Sequence, residues 1–278
     1  MLVAGIIIGI IAILLIYGYL SHYHLVTTTY TVPLENISAE HTVVLLSDLH
    51  CCYHGEENEK LLDRIRQANP DCILISGDMV TKHMDTGDAR VQKVLRFLKQ
   101  LSKQYPVYYS PGNHEIRMND YEDYQLAVSD MGIQYIANQE RVFPYDNIRF
   151  FGLDLPIERY RSREELTIED IGNYLGQSRA DDRVATILLA HDPRYFDTYV
   201  KWGADLTVSG HLHGGILRLP FLGGVFSPYL QLFPNYSGGK YEKKKKTMIV
   251  SRGLGTHHVK FRWFNPPELV VIRLQPKL

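Results

Sequence analysis

The segment VSGHLHGGI sets His211 and His213 one residue apart, between a short apolar run and two glycines. Alone, such a pair reads as a polar turn. If a strand ends at Ser209, the turn that follows can bring both imidazoles to one point. Four other apolar runs end in residues of the same kind. HTVVLLSD leads into Asp48-Leu49-His50, DCILIS into Gly77-Asp78, YPVYYSP into Gly112-Asn113-His114-Glu115, and ATILLA into His191. An Asp or Asn after a strand is usually a turn residue, but five runs ending this way form a pattern. Asp, Asn and His without cysteine suit the divalent ions Mn²⁺, Fe²⁺ and Zn²⁺. The set is too large for one tetrahedral catalytic ion, which takes three protein ligands. It fits two ions about 3.5–4 Å apart with one carboxylate between them.

The elements that must position these residues follow from periodicity. HTVVLL, DCILIS and YPVYYS read as buried strands, as do IRFFGLD, ATILLA, ADLTVS, KTMIVS and ELVVIRL. Residues 27–32 form an earlier β-rich run. Leu61, Leu62 and Ile65 lie at helical spacing before Pro70, and Val91, Val94, Leu95, Leu98 and Leu101 repeat the pattern. Helices alternate with strands early and become scarce late. The fold class expected is α/β, a two-sheet sandwich flanked by helices. Strand ends on one sheet edge would face a shared crevice. Glu242–Lys246, EKKKK, reads as a solvated turn between late strands, with an anion-binding patch as the alternative.

The ordered blocks DxH, GD, GNHE, a lone His after a strand, and GHxH resemble the calcineurin-like metallophosphoesterase superfamily. The resemblance runs from about Thr42 to the C-terminus. LPFLGG, VSRGLGT and FNPPELVVIRL are similar to the bacterial membrane-associated YaeI/YkuE-like subgroup, although Ile216 stands where that subgroup often has Gln and THHVKFRW is an unusual approach to FNPPE. The resemblance implies a metallophosphoesterase-like sandwich and a role for each ligand. Asp48, His50 and His213 would hold one metal, and Asn113, His191 and His211 the other, with Asp78 bridging. His114 would be the catalytic group near the leaving oxygen, with a histidine that orients a ligand as the alternative. Glu115 and Asp192 read as supporting or capping groups. His54, His83, His257 and His258 stay open between substrate contact and plain loop. The implied reaction is hydrolysis of a phosphodiester or pyrophosphate by a hydroxide bridging two divalent ions, Mn²⁺ first, with Fe²⁺ or Zn²⁺ as alternatives.

The first twenty residues carry no charge. Roughly 20 apolar residues cross about 30 Å of hydrocarbon as a helix, and Tyr17, Tyr19 and Tyr23 suit an interfacial aromatic belt. The competing readings are a cleaved signal peptide, which lacks its basic start and small-x-small site here, and a buried core helix. The organisation expected is a transmembrane anchor over 1–22, a connector with the first strand over 23–40, and a metallophosphoesterase domain over 41–278. No Lys or Arg precedes Lys60, and the domain is placed outside the cytoplasm. A net charge of -1 gives no field for nucleic acid, and no protein partner is expected. Cys51, Cys52 and Cys72, an odd count without CxxC, imply neither a disulfide framework nor a zinc knuckle. The apolar stretch 216–236 beside the ligands reads as a packed hairpin or a lipid-facing lip. With the anchor it favours a lipid-linked phosphoester such as a UDP-diacylglucosamine-type glycolipid. The alternatives are a phosphodiesterase of soluble substrates, a protein phosphatase, or a non-catalytic metal-binding membrane module.

Overall fold

Near-continuous apolar runs mean strands covered on both faces, and successive side chains on a strand point to opposite faces. In β2 (His41–Leu46), Val43 and Leu45 face one cluster while Val44 and Leu46 face another. The structure, a computed structural model, describes residues 2–162, 164–177, 179, 183–215, 217–219, 222–226, 232–256 and 261–277. Ile216, His257 and His258 lie outside the described residues.

Among the described residues, two six-stranded sheets pack face to face. The first has the order β1 (Val26–Leu34), β14 (Glu268–Pro276), β2, β3 (Cys72–Ser76), β4 (Val107–Ser110) and β5 (Gln134–Tyr135). In the second, β6 (Gln139–Val142), β7 (Ile148–Leu153), β8 (Ala185–Ala190) and β9 (Leu206–Ser209) run outward to β13 (Lys246–Val250) and β12 (Gly239–Lys243). Strands β2, β3 and β4 are mutually parallel, as are β7, β8, β9 and β13. The C-terminal strand β14 inserts between β1 and β2, parallel to the first and antiparallel to the second. A short ladder joins β10 (Arg218–Leu219) to β11 (Gly223–Gly224). The turn between β12 and β13 carries Lys244 and Lys245, which agrees with a solvated turn at EKKKK.

The core between the sheets includes Leu45, Leu74, Phe150, Ile187, Val208 and Ile272. Outside the first sheet lie α2 (Glu59–Ala68), α3 (Ala89–Ser102) and α4 (Tyr121–Ser129); Leu61, Ile65, Val94 and Leu98 face Val44 and Ile73. Asp88 caps α3 by accepting from the Arg90 N–H. Outside the second sheet, α5 (Ile157–Arg161), α6 (Ile168–Leu175) and α7 (Phe196–Trp202) cover Phe151 and Leu188. Thr167 and Asp170 form a reciprocal capping box on α6. Cys51, Cys52 and Cys72 form no disulfide among the described residues, and Cys72 is buried in β3.

The helix α1 (Leu2–His22) is long and apolar enough to cross a membrane, a test that a signal sequence also passes. Most of its large side chains are exposed, which sets it apart from a core helix. Its C-terminal half docks on residues 261–264. The Trp263 indole N–H donates to Leu14 O at 2.8 Å, and Arg262 N donates to Gly18 O at 3.0 Å. Only glycine fits at 18, because a Cβ there would lie 2.6 Å from Trp263 Nε1.

Asp146, after β6, ties the second sheet to the entry of β2. Its carboxylate accepts from the N–H groups of Ser38, Ala39 and Asn147 and lies 2.9 Å from His41 Nε2. Burial alone would raise its pKa, but the donors hold it well below the ordinary 3.8. A depressed carboxyl contributes stability that is fully present above the unfolded value and lost as pH falls through the folded one. Asp146→Asn is therefore expected to lower stability by about 1–2 kcal/mol at pH 7, through its charged hydrogen bonds. It should cost progressively less towards pH 2, read from urea denaturation of the full chain at both pH values.

Candidate metal centre

The eight residues expected to act as ligands or catalytic group arrive at one crevice. Asp48 and His50 follow β2, Asp78 follows β3, Asn113 and His114 follow β4, His191 follows β8, and His211 and His213 follow β9. The crevice is shared by the C-terminal edges of two sheets rather than by one sheet edge, which corrects the single-edge arrangement. The first sheet supplies the carboxylates and the amide. The second supplies three of the imidazoles.

The turns depend on unusual backbone. Asp48, His50, Asp78, His211 and His213 all have φ between 47° and 73°, a region that costs a non-glycine residue of order 1 kcal/mol or more. The strand at Ser209 ends where expected, and two left-handed residues flanking Leu212 swing both imidazoles of GHLHG inward. Gly210 is required by close approach, since a side chain there would collide with Ser47 Oγ and the Asp48 carboxylate.

Two clusters result, each with donor atoms within 4.8 Å of one another: Asp48, His50 and His213, and Asp78, His191 and His211. His50 Nε2 and His213 Nε2 face each other at 3.1 Å, and Asp48 Oδ1 lies 3.4 Å from the latter. Asp78 Oδ2 stands between the clusters, 3.7 Å from His50 Nε2 and 3.1 Å from His191 Nε2. Its other oxygen accepts the His114 N–H at 2.8 Å. A third cluster joins His50, Asp78 and His114.

Carbonyls fix two tautomers. His213 Nδ1 donates to Gly255 O at 3.1 Å and His191 Nδ1 to Ser76 O at 2.5 Å. Each therefore turns an Nε2 lone pair inward, the usual support of a metal-binding histidine. His191 Nε2 thus faces Asp78 Oδ2 acceptor to acceptor, an arrangement that needs a cation or a proton between them. Asn113 Oδ1 is buried and accepts no hydrogen bond among the described residues. These observations fit divalent ions. The charges agree: burial disfavours the His191 cation, yet Asp78 raises its pKa to about 10. Burial, with Asp78 beside it, pushes Asp48 up to about 7. Asp78 is raised by burial alone, but His191, His114 and His50 hold it well below the ordinary range. Burial lowers His211 to about 4, leaving a neutral imidazole.

His114 is oriented the other way. Its Nδ1 accepts the Lys82 N–H at 3.0 Å, so in the neutral ring the proton sits on Nε2, 4.0 Å from Asp78 Oδ2. Burial lowers its pKa and favours that neutral form.

Glu115 is fully buried and accepts five hydrogen bonds: from the N–H groups of Asp78, Met79, Val80 and Gly112, and from Tyr109 Oη, at 2.7–3.3 Å. Burial raises its pKa, but five donors leave no room for a proton on either oxygen. Sequence reasoning assigned it a supporting role without showing that it fastens the Asp78 turn to the Asn113 turn. Asp192 accepts from Arg194 N and caps a short helical turn, as expected. His54 is a buried structural residue bonded to Leu254 O. The residues that sequence reasoning missed come from the C-terminal loop. The Arg262 guanidinium is buried against the carbonyls of Arg252, Gly255 and Asn265. Gly255 O therefore takes donors from both Arg262 and His213. VSRGLGT was the signal available.

A family model described as calcineurin-like phosphoesterase matches residues 41–215, the stretch that contains all three clusters. The chain belongs to the calcineurin-like phosphoesterase family. The chain is 27% identical over 249 residues to the uncharacterized metallophosphoesterase Cj0846 of Campylobacter jejuni, covering 88% of this chain and 62% of that protein. It therefore spans less than two thirds of that relative. It is 27% identical to the uncharacterized metallophosphoesterase YkuE of Bacillus subtilis, over 84% of this chain and 78% of YkuE. With the phosphodiesterase YaeI of Escherichia coli it shares 24% identity, over 68% of this chain and 65% of YaeI. Among solved structures, TT1561 of Thermus thermophilus has the same fold, with a TM-score of 0.50 and 11% identity over 79% of this chain and 91% of that one.

Glu115→Gln places an amide NH₂ against backbone donors. It is expected to cost about 2–4 kcal/mol in stability and to weaken divalent-ion affinity by about 10–100-fold. Denaturant titration with and without metal, and calorimetric Mn²⁺ titration, read both effects.

Proposed function

We propose that the chain is a membrane-anchored phosphoesterase with two divalent ions, Mn²⁺ first, that hydrolyses a phosphodiester or pyrophosphate bond of a lipid-linked substrate. The observation that carries the reading is Asp78, whose Oδ2 lies between two clusters of inward-facing imidazoles. Asp48, His50 and His213 would hold one ion, and Asn113, His191 and His211 the other, with Asp78 common to both. Such a pair of ions supplies a water of lowered pKa and neutralises charge developing on the phosphoryl oxygens. The chain's own part is to hold those side chains rigid and to direct the His114 Nε2–H at the oxygen that leaves. There it stabilises developing negative charge and delivers a proton. The name of YaeI as a phosphodiesterase supports cleavage of diesters.

The membrane part of the reading is supported by the exposed apolar face of α1 and its aromatic collar. Tyr17 packs on Phe264 at 5.1 Å, and Tyr19 lies 6.3 Å from Phe261. Beside Phe264 opens a cavity of about 530 Å³ that carries Arg218 and Arg252, with Leu222 and Phe233 on its walls. Leu222, Phe233 and Phe264 are exposed. Arg252 is paired with Glu268 at 2.9 Å, whereas Arg218 has no carboxylate partner among the described residues, and apolar walls with that guanidinium suit a lipid that carries phosphate. The expected location is a single-pass membrane protein with the domain outside the cytoplasm.

The test uses metal-stripped full-length chain in detergent with bis-p-nitrophenyl phosphate and p-nitrophenyl phosphate. Adding back Mn²⁺, Fe²⁺ or Zn²⁺ should restore diester cleavage, and Asp78→Ala should abolish it. His114→Gln should lower kcat by about 10²–10⁴-fold while leaving calorimetric Mn²⁺ binding intact. No turnover with any of the three ions would sink the reading.

A further inference from the structure

Three basic side chains gather on the His114 side of the crevice. The backbone N–H of Lys82 is the donor that fixes His114 Nδ1. Arg117 follows Glu115 by two residues; its Nη2 lies 3.2 Å from His83 Nε2, and its carbonyl accepts the His83 N–H at 2.8 Å. Arg161 ends α5 directly after Tyr160, whose ring lies 5.4 Å from that of His211. Burial lowers the Lys82 pKa, and the charges of Arg117 and Arg161 lower it further, so the three share one neighbourhood.

Other cations on this flank are neutralised within the chain: Arg159 by Asp170 at 2.8 Å and Arg194 by Asp192 at 2.6 Å. Among the described residues, no carboxylate pairs with Lys82, Arg117 or Arg161. The whole chain has a net charge of -1, so this is a local excess. Like charges held together are unfavourable unless an anion arrives to relieve them. The proposed ions and His114 would meet the single charge of a scissile diester, so these cations lie beyond what that group needs.

We infer that Lys82, Arg117 and Arg161 form a subsite for a second anionic group on the leaving-group side of the substrate, which selects a pyrophosphate linkage over a simple diester. The inference rests on the phosphoesterase reading above. Guanidinium and ammonium donors at the rim bind the second phosphate and thereby hold the bridging oxygen towards His114. Arginine suits this task because its planar fork matches phosphate oxygens in pairs.

Inhibition of full-length, Mn²⁺-loaded protein tests this with bis-p-nitrophenyl phosphate as reporter. The quantity read is the Ki of methylphosphonate divided by that of methylenediphosphonate, at fixed free Mn²⁺, so that chelation affects every protein alike. Wild type should favour the diphosphonate. The combined Lys82→Gln, Arg117→Gln, Arg161→Gln variant should lose about tenfold or more of that ratio, and Arg161→Gln alone, at an exposed position, about threefold. The charge-keeping Lys82→Arg, Arg117→Lys, Arg161→Lys variant should retain most of it. Equal ratios in wild type and in both neutralised proteins overturn the subsite alone. Failure of wild type to cleave the reporter overturns the phosphoesterase reading and the subsite with it.

Discussion

The Glu115 carboxylate is the point on which the centre hangs. Five donors converge on its two oxygens, four of them backbone N–H groups from the turns after β3 and β4. Those turns carry Asp78, Asn113 and His114, so one buried charge sets the spacing of the Asp78 carboxylate, the Asn113 amide and the proposed proton donor. The charge is tolerated because it is fully hydrogen-bonded. Tyr109 completes the shell and is itself held 3.1 Å from Tyr124 Oη on α4, which connects the clamp to the helical layer.

Left-handed backbone at five site residues is unfavourable taken alone. Hydrogen bonds between the turns hold it in place: Asp48 N to Gly77 O, His50 N to Asp78 O, and His211 N to the Asp48 carboxylate. Each turn therefore satisfies its neighbour, and the strain persists because the two sheets leave the turns no room to relax. The same geometry directs imidazole lone pairs and carboxylate oxygens inward, which leaves the centre short of positive charge and suited to cations.

A second line of contacts runs from α1 to the centre. Gly18 O accepts from Arg262 N, the Arg262 guanidinium reaches Gly255 O, and that carbonyl also receives His213 Nδ1–H. Asn265 Nδ2 donates to His213 O at 2.6 Å. The orientation of one candidate ligand is thus linked through a single buried arginine to the helix that docks beside it. Apolar packing of Trp263 on Gly18 holds the near end of that line.

The sequence by itself determined the inventory and the local grammar of this protein. Apolar runs of β-branched residues specified the strands, and the Asp, Asn and His that follow them specified a centre for divalent ions, because both signals are local in the chain. Order along the chain carried the resemblance, and the match over 41–215 agrees with it. Three things were decided only by tertiary structure. Glu115 reads as one more turn residue until β3 and β4 lie side by side. The C-terminal strand enters the middle of the first sheet, and Arg262 reaches Gly255, through pairings that no local pattern encodes. Lys82, Arg117 and Arg161 look like scattered surface charges in the sequence; folding sets them on one side of His114. Charge and hydrogen-bond partners act through space, and their distances exist only once the two sheets have packed.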